Sequence, residues 1–234
     1  MRLDWQVLDA AALPTLRDDE IQLHLVPRAD ANGWRDALVA AALARPAASL
    51  EYRREAHGRP YVVDAGDAPA YNLAHTGRHA LLALARGTAV GVDLEAPRRV
   101  ARRAALLARV FCPSERAAIA AAPEPGRLLL HAWAGKEAVV KAIGRGIAYG
   151  LARIELELDA AGVRGVRTLE GPAAAFMPWS VVSFDVPGDH LGALAWHGGP
   201  RSVRAWCTGE GSVPGDAPHR RDGACGPLAE TFDF

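Results

Sequence analysis

Gly91-Val92-Asp93-Leu94-Glu95 and, further along, Trp133-Ala134-Gly135-Lys136-Glu137-Ala138-Val139-Val140-Lys141 are the stretches on which the reading of this chain turns. The first follows an apolar run, Ala80-Leu81-Leu82-Ala83-Leu84-Ala85, broken at Arg86-Gly87. Such a break between two apolar stretches predicts a hairpin. Side chains alternate along a strand, so Asp93 and Glu95 point the same way, roughly 6–7 Å apart. Two acids so close repel unless a cation joins them. The second stretch is helical by composition and sets Trp133, Glu137 and Lys141 on one stripe. Three carboxylates and two lysines then stand where one divalent metal and one diphosphate fit. Mg²⁺ takes oxygen ligands, keeps several waters, and commonly binds a few carboxylates plus substrate phosphates.

Taken singly, each segment has a plainer reading. Asp-x-Glu at a strand end describes a solvated edge, and Glu-x-x-x-Lys describes an ordinary helix salt bridge. The combination, with the specific residues between the acids, carries the metal-phosphate reading.

The pair resembles the signature of the 4′-phosphopantetheinyl transferases, in particular the Sfp-like group with broad carrier-protein range. Trp133, Lys136, Glu137, Ala138, Lys141, Ala142, Gly144 and Gly146 complete the second motif. A family segment Phe-Asn-x-Ser-His-Ser stands altered as Tyr71-Asn72-Leu73-Ala74-His75-Thr76, and Gly-Lys-Pro stands as Gly58-Arg59-Pro60. Arg109-Val110-Phe111-Cys112-Pro113-Ser114-Glu115 is similar to the family's helix start between the two main motifs. Order and spacing agree over about residues 50 to 150.

That resemblance implies an α+β fold of two similar α/β halves with pseudo-twofold symmetry and an active site between them. The expected division is 1–98 for the N-terminal half, 99–197 for the C-terminal half and 198–234 for a flexible tail. An internal echo, Gly77-Arg78-His79-Ala80-Leu81-Leu82 against Gly188-Asp189-His190-Leu191-Gly192-Ala193, fits a duplication but is weak alone. Periodicity predicts strands near Ile21–Val26, Tyr61–Val63, Ile154–Leu158, Trp179–Val186 and Leu191–Trp196. Helices are predicted over Trp34–Ala44, Val100–Val110, Ser114–Ala121 and Pro125–Ile143, the last closed by Gly144. From His197 onward Gly, Pro, Arg and Asp dominate, which predicts a tail that can be removed without loss of stability.

The resemblance also implies a chemistry. Coenzyme A would give its phosphopantetheine arm to a serine of an apo acyl or peptidyl carrier protein, leaving 3′,5′-ADP. Asp93, Glu95 and Glu137 are the expected ligands of Mg²⁺, with Mn²⁺ as an alternative. Glu137 is the expected base for the serine, and Lys141 the stabiliser of the leaving phosphate. His75 and Arg59 are expected on the coenzyme A phosphates, with Arg54, Gly58, Asn72 and Thr76 as further contacts from the same stretches. Lys136 either serves a phosphate or faces solvent. Ala74 removes a hydroxyl that the family has, and Cys112 stands where Ser or Thr would cap a helix. The basic region before Gly58 is short. A decayed homologue that binds coenzyme A or a carrier protein without transfer is the alternative reading, and a convergent phosphate hydrolase a third.

Composition sets bounds. The chain has 234 residues, enough for a substantial core. Lys+Arg and Asp+Glu number 27 each, so no net field calls for nucleic acid or an anionic membrane. Cys112, Cys207 and Cys225 lack metal-ligand spacing, which predicts reduced thiols. Met1-Arg2-Leu3-Asp4-Trp5 carries an acid where a signal peptide would be apolar, so a cytoplasmic protein is expected. Two fused halves would make a complete site in a monomer.

Overall fold

Strand by strand, apolar runs buried on both faces decide this architecture. The computed structural model describes residues 1–63, 66–99 and 107–209. The chain forms β1 (Trp5–Leu8) and β2 (Glu20–Pro27), then helix α1 (Ala31–Leu43). A small hairpin follows, β3 (Tyr52–Arg54) with β4 (Pro60–Val62), and then β5 (Ala70–Thr76), β6 (His79–Ala85) and β7 (Val90–Glu95). Next come α2 (Leu107–Val110), α3 (Pro113–Ala121) and α4 (Pro125–Ile143). The described chain closes with β8 (Ile154–Asp159), β9 (Gly162–Leu169), β10 (Trp179–Val186), β11 (His190–His197) and β12 (Ser202–Thr208).

One sheet has the order β1-β12-β2-β6-β5, and a second has the order β10-β11-β7. Ile21, Leu23 and Leu25 of β2 and Leu81 and Ala83 of β6 share a core with Val90, Val92 and Leu94 of β7. Alternation sends their neighbours the other way. Leu82 and Leu84 pack with Leu38 and Val39 of α1, while Ala193 and Ala195 of β11 pack with Ala138, Val139 and Ala142 of α4. The layers therefore run helix α1, five-stranded sheet, three-stranded sheet, helix α4. This is a mixed α/β arrangement, and α4 begins with Pro125 and ends at Gly144, whose φ of 80° suits a left-handed cap. Its N–H donates to the Val140 carbonyl at 3.1 Å.

Three expectations are corrected. The break at Arg86-Gly87 is not a hairpin turn: β6 pairs with β2 and β5, whereas β7 pairs with β11. Both strands carry a fully apolar face, so they stack across the core instead of lying side by side. The tail does not start at residue 198. Ser202–Thr208 forms β12, parallel to both β1 and β2 and between them. Its alternation of Val203, Ala205 and Cys207 fills the inter-sheet core. Each large sheet consequently draws strands from both sides of residue 98. Finally, Cys207 is disulfide-bonded, while Cys112 is a free thiol. Most of the predicted helix over 100–110 lies outside the described residues, as does the chain beyond 209.

The two echoing segments each open a strand after a tight turn, at Gly77 (φ 55°) and at Gly188 (φ 78°). The first histidines of those strands, His79 and His190, meet edge to face with ring centroids 4.7 Å apart. No helix among the described residues is long and apolar enough to cross a membrane.

Candidate active site between strand β7 and helix α4

The sequence Gly-x-Asp-x-Glu acquires its meaning from the helix beneath it. Gly91, Asp93 and Glu95 share the face of β7 that lies on α4. A Cβ on Gly91 would stand 2.2 Å from the Ala138 carbonyl oxygen and 2.3 Å from the Ala142 nitrogen. The strand is thus pressed onto helix backbone, a position open only to glycine. Two residues on, the Asp93 carboxylate meets the helix: Lys141 Nζ donates to its Oδ1 at 2.7 Å and to the Val92 carbonyl at 2.9 Å. The other oxygen, Asp93 Oδ2, is buried with no hydrogen-bond partner. Glu95 is buried as well, 2% exposed. Glu137 lies one turn before Lys141 and is half-buried, and Trp133 is buried a turn before that.

The outer edge of β7 is tied by side chains in place of a ladder. The Val92 N–H donates to Asn72 Oδ1 at 3.0 Å. The oxygen of Asn72, a residue expected on the nucleotide, joins β5 to β7 and fixes the strand that carries Asp93. That role has no signature in the sequence, since the pairing of sheet edges is set by tertiary packing.

Lys136 is likewise corrected. It is 0% exposed and its ammonium donates to Glu115 Oε2 at 2.8 Å, to the Val110 carbonyl at 2.9 Å and to the Ile154 carbonyl. Burial lowers its pKa, opposed by the hydrogen bond that it donates to Glu115. No face is left for a phosphate. Glu115 also accepts from the N–H groups of Cys112 at 2.8 Å and Leu156 at 2.9 Å. Its carboxylate therefore does the capping that Cys112 does weakly. The Pro-x-Glu spacing after Cys112 was the available signal.

Arg59 reaches the site from the β3–β4 hairpin. Its Nη2 donates to the Ala142 carbonyl at 2.7 Å, beside Lys141, and burial lowers its pKa while Glu55 opposes the shift. A cation there favours the carbonyl end of the helix. Gly58, with φ 88°, makes the turn that aims it, and Arg54 Nη1 braces that turn by donating to the Gly58 carbonyl at 2.8 Å. His75 and Thr76 occupy opposite faces of β5. His75 is exposed on the face that Tyr71 presents to α1, and Thr76 is buried with its hydroxyl unpartnered. The two do not turn to one phosphate together. Ala74 sits in the apolar layer between the sheets, so a serine hydroxyl there would meet core, not ligand.

Among the described residues, no three His, Cys, Asp or Glu side chains are gathered into a metal cage. The expected set of Asp93, Glu95 and Glu137 is an open arrangement in which Lys141 pairs with Asp93. The donors nevertheless suit a hard divalent cation. An unpartnered buried carboxylate oxygen on Asp93, beside a second buried acid, needs positive charge, and such ions complete their shell with water and substrate phosphate.

Residues 89–195, which span both motifs, match the sequence model of the 4′-phosphopantetheinyl transferase superfamily. The chain is 42% identical over 93 residues to a holo-[acyl-carrier-protein] synthase of Solidesulfovibrio magneticus, covering 39% of this chain and 64% of that protein. It is 32% identical over 108 residues to a Synechocystis protein named "Putative 4'-phosphopantetheinyl transferase", covering 45% and 44%. The chain thus spans less than two thirds of the curated relatives it matches. Among solved structures it is similar to holo-[acyl-carrier-protein] synthase from Neisseria meningitidis, at 26% identity and a TM-score of 0.39, over 47% of this chain and 98% of that one.

Proposed function

We propose that this protein transfers the 4′-phosphopantetheine moiety of coenzyme A to a serine of an apo carrier protein, acyl or peptidyl, and releases 3′,5′-ADP. The observation that carries the proposal is the Asp93–Lys141 pair at 2.7 Å, set inside the matched residues 89–195. It puts an acid and a cation of the two motifs at one point between strand and helix.

In this reading Asp93, Glu95 and Glu137 would hold Mg²⁺ or Mn²⁺, which supplies charge neutralisation of the diphosphate when bound. Glu137 accepts the proton of the serine hydroxyl as that oxygen attacks the β-phosphorus. The bond from the β-phosphorus to the bridging oxygen breaks, and the electron pair leaves on the α-phosphate. Lys141 faces that developing charge. Arg59, with donors beyond the one used on Ala142, neutralises a coenzyme A phosphate at the end of α4, and His75 meets the nucleotide from β5.

The same reading makes the protein a cytoplasmic monomer of the Sfp-like group, its two halves related by a pseudo-twofold axis. The contact of His79 with His190 supports such an axis, since equivalent residues meet where a twofold passes. The burial of Ala74 weighs against a decayed homologue, because no ligand contact is lost there.

The test is incubation with coenzyme A, Mg²⁺ and an apo carrier protein, followed by intact mass and nucleotide analysis. One phosphopantetheine group gained per carrier, with an equal yield of 3′,5′-ADP, is expected. Coenzyme A binding with no gain would favour the decayed homologue, and phosphate release without a carrier would favour a hydrolase.

A further inference from the structure

Two buried acids on one face of β7 call for positive charge beside them. The ammonium of Lys141 supplies it to Asp93, anchored at once by Oδ1 at 2.7 Å and by the Val92 carbonyl at 2.9 Å. The pair is largely shielded, with the Asp93 side chain 12% exposed. Composition makes this lysine conspicuous. Of the 27 basic residues other than histidine, 25 are arginine, and the two lysines are Lys136 and Lys141. Lys136 is locked in the core by its contacts. At Lys141 the chain departs from its general use of arginine, and the properties gained are a compact point charge and a flexible four-carbon stem. An arginine fork would hold the carboxylate bidentately and resist leaving it.

Resting on the reading of Asp93 as a cation ligand, we propose that Lys141 is an internal stand-in for the metal. Its ammonium holds Oδ1 of the Asp93 carboxylate, and a divalent cation drawn to the unpartnered Oδ2 claims that carboxylate by displacing it. A cation and an ammonium on one carboxylate repel each other at short range in a poorly solvated site. The short Asp93 side chain is fixed to its strand, so the long lysine is the partner that moves. Once displaced, the ammonium lies one turn from Glu137 and free to meet an anion. Cation entry thereby arms the lysine for the diphosphate, and the two positive charges reach the substrate together only after the acids have been claimed.

Two measurements without coenzyme A test this. In the first, Mn²⁺ binding is followed by electron paramagnetic resonance in the unaltered protein, in Lys141→Met and in Asp93→Asn. Lys141→Met should bind Mn²⁺ at least about tenfold more tightly than the unaltered protein, since a competing charge is gone. Its melting temperature should also rise more on adding Mn²⁺. Equal or weaker binding in Lys141→Met, with binding that still depends on Asp93, overturns the stand-in role and leaves the transferase reading intact. Binding indifferent to Asp93→Asn overturns both. The second measurement uses the unaltered protein and so does not depend on a variant folding. Acetic anhydride labelling read by mass spectrometry has Lys141 as its accessible lysine target, because Lys136 is buried. Mn²⁺ should raise the labelling rate of Lys141 severalfold, and an unchanged or reduced rate contradicts the displacement.

Discussion

Lys136 and Glu115, whose side chains are 0% and 1% exposed, form an ion pair of 2.8 Å that fastens helix α4 to the start of α3. Through the Val110 and Ile154 carbonyls the same ammonium holds the end of α2 and the start of β8. Breaking one side of a buried pair strands a charge. Lys136→Met should therefore lower stability by about 3–5 kcal/mol. The melting temperature should fall steeply, while the Michaelis constant for coenzyme A in the surviving folded fraction stays near that of the unaltered protein. A specific rise in that constant with unchanged melting would return Lys136 to the phosphate site.

Gly91 tests the contact on which the site rests. Gly91→Ala places a methyl within bonding-range overlap of α4 backbone, at 2.2 Å from the Ala138 oxygen. Strand and helix must separate, which should cost about 1–3 kcal/mol or more as overpacking and move Asp93 away from Lys141. Melting and activity should fall together. Near-native values for both would show that β7 does not lie on the helix this closely.

The contrast between those two residues shows what was legible in the sequence. Helix α4 could be read because its start, its stripe and its Gly144 stop all agree. That the faces carrying Asp93 and Lys141 meet was legible from the two motifs taken together. Which faces were already taken was not. Lys136 and Lys141 look alike in a linear motif, and only the packing of β8 and α3 against α4 turns one into core and leaves the other at the site. The bond by which Asn72 ties β5 to β7 was likewise invisible before the two strands were seen together. The hairpin at Arg86-Gly87 was misread because an apolar run buried on both faces carries no signal for its pairing partner. β12 escaped notice because Arg204 interrupts its pattern; its guanidinium lies 4.6 Å over the Trp206 ring and reaches Glu20 at 3.4 Å.

That strand yields a prediction opposite to the expected removable tail. A chain ended at His197 lacks β12, the strand between β1 and β2. It should lose cooperative melting and accumulate as insoluble protein, as measured by circular dichroism and sedimentation. A soluble product with an unchanged transition would make β12 dispensable.

Two buried histidines set a pH dependence. Burial pushes the pKa of His24, stacked on Trp206, down to about 3 from 6.5. For His131, burial and then Arg127 push it down to about 4. Both rings are neutral when folded, and the unfolded chain takes up their protons first. Stability from this source is complete above about pH 6.5 and is lost as pH falls toward the folded values. The slope is up to about 1.4 kcal/mol per unit for each ring. Melting curves between pH 8 and pH 4 should show a plateau and then a decline, and His24→Leu should flatten the decline. A melting temperature rising toward acid would contradict the assignment.

The most direct test of the whole account compares Asp93→Ala with the unaltered protein in carrier-protein modification at saturating coenzyme A across a range of Mg²⁺ concentrations. The variant should fold and should lose at least about a hundredfold in turnover, the scale of removing a positioned electrostatic group, with no recovery at high Mg²⁺. Turnover close to that of the unaltered protein would remove Asp93 from the site and, with it, the cation and phosphate chemistry assigned to the face of β7 on α4.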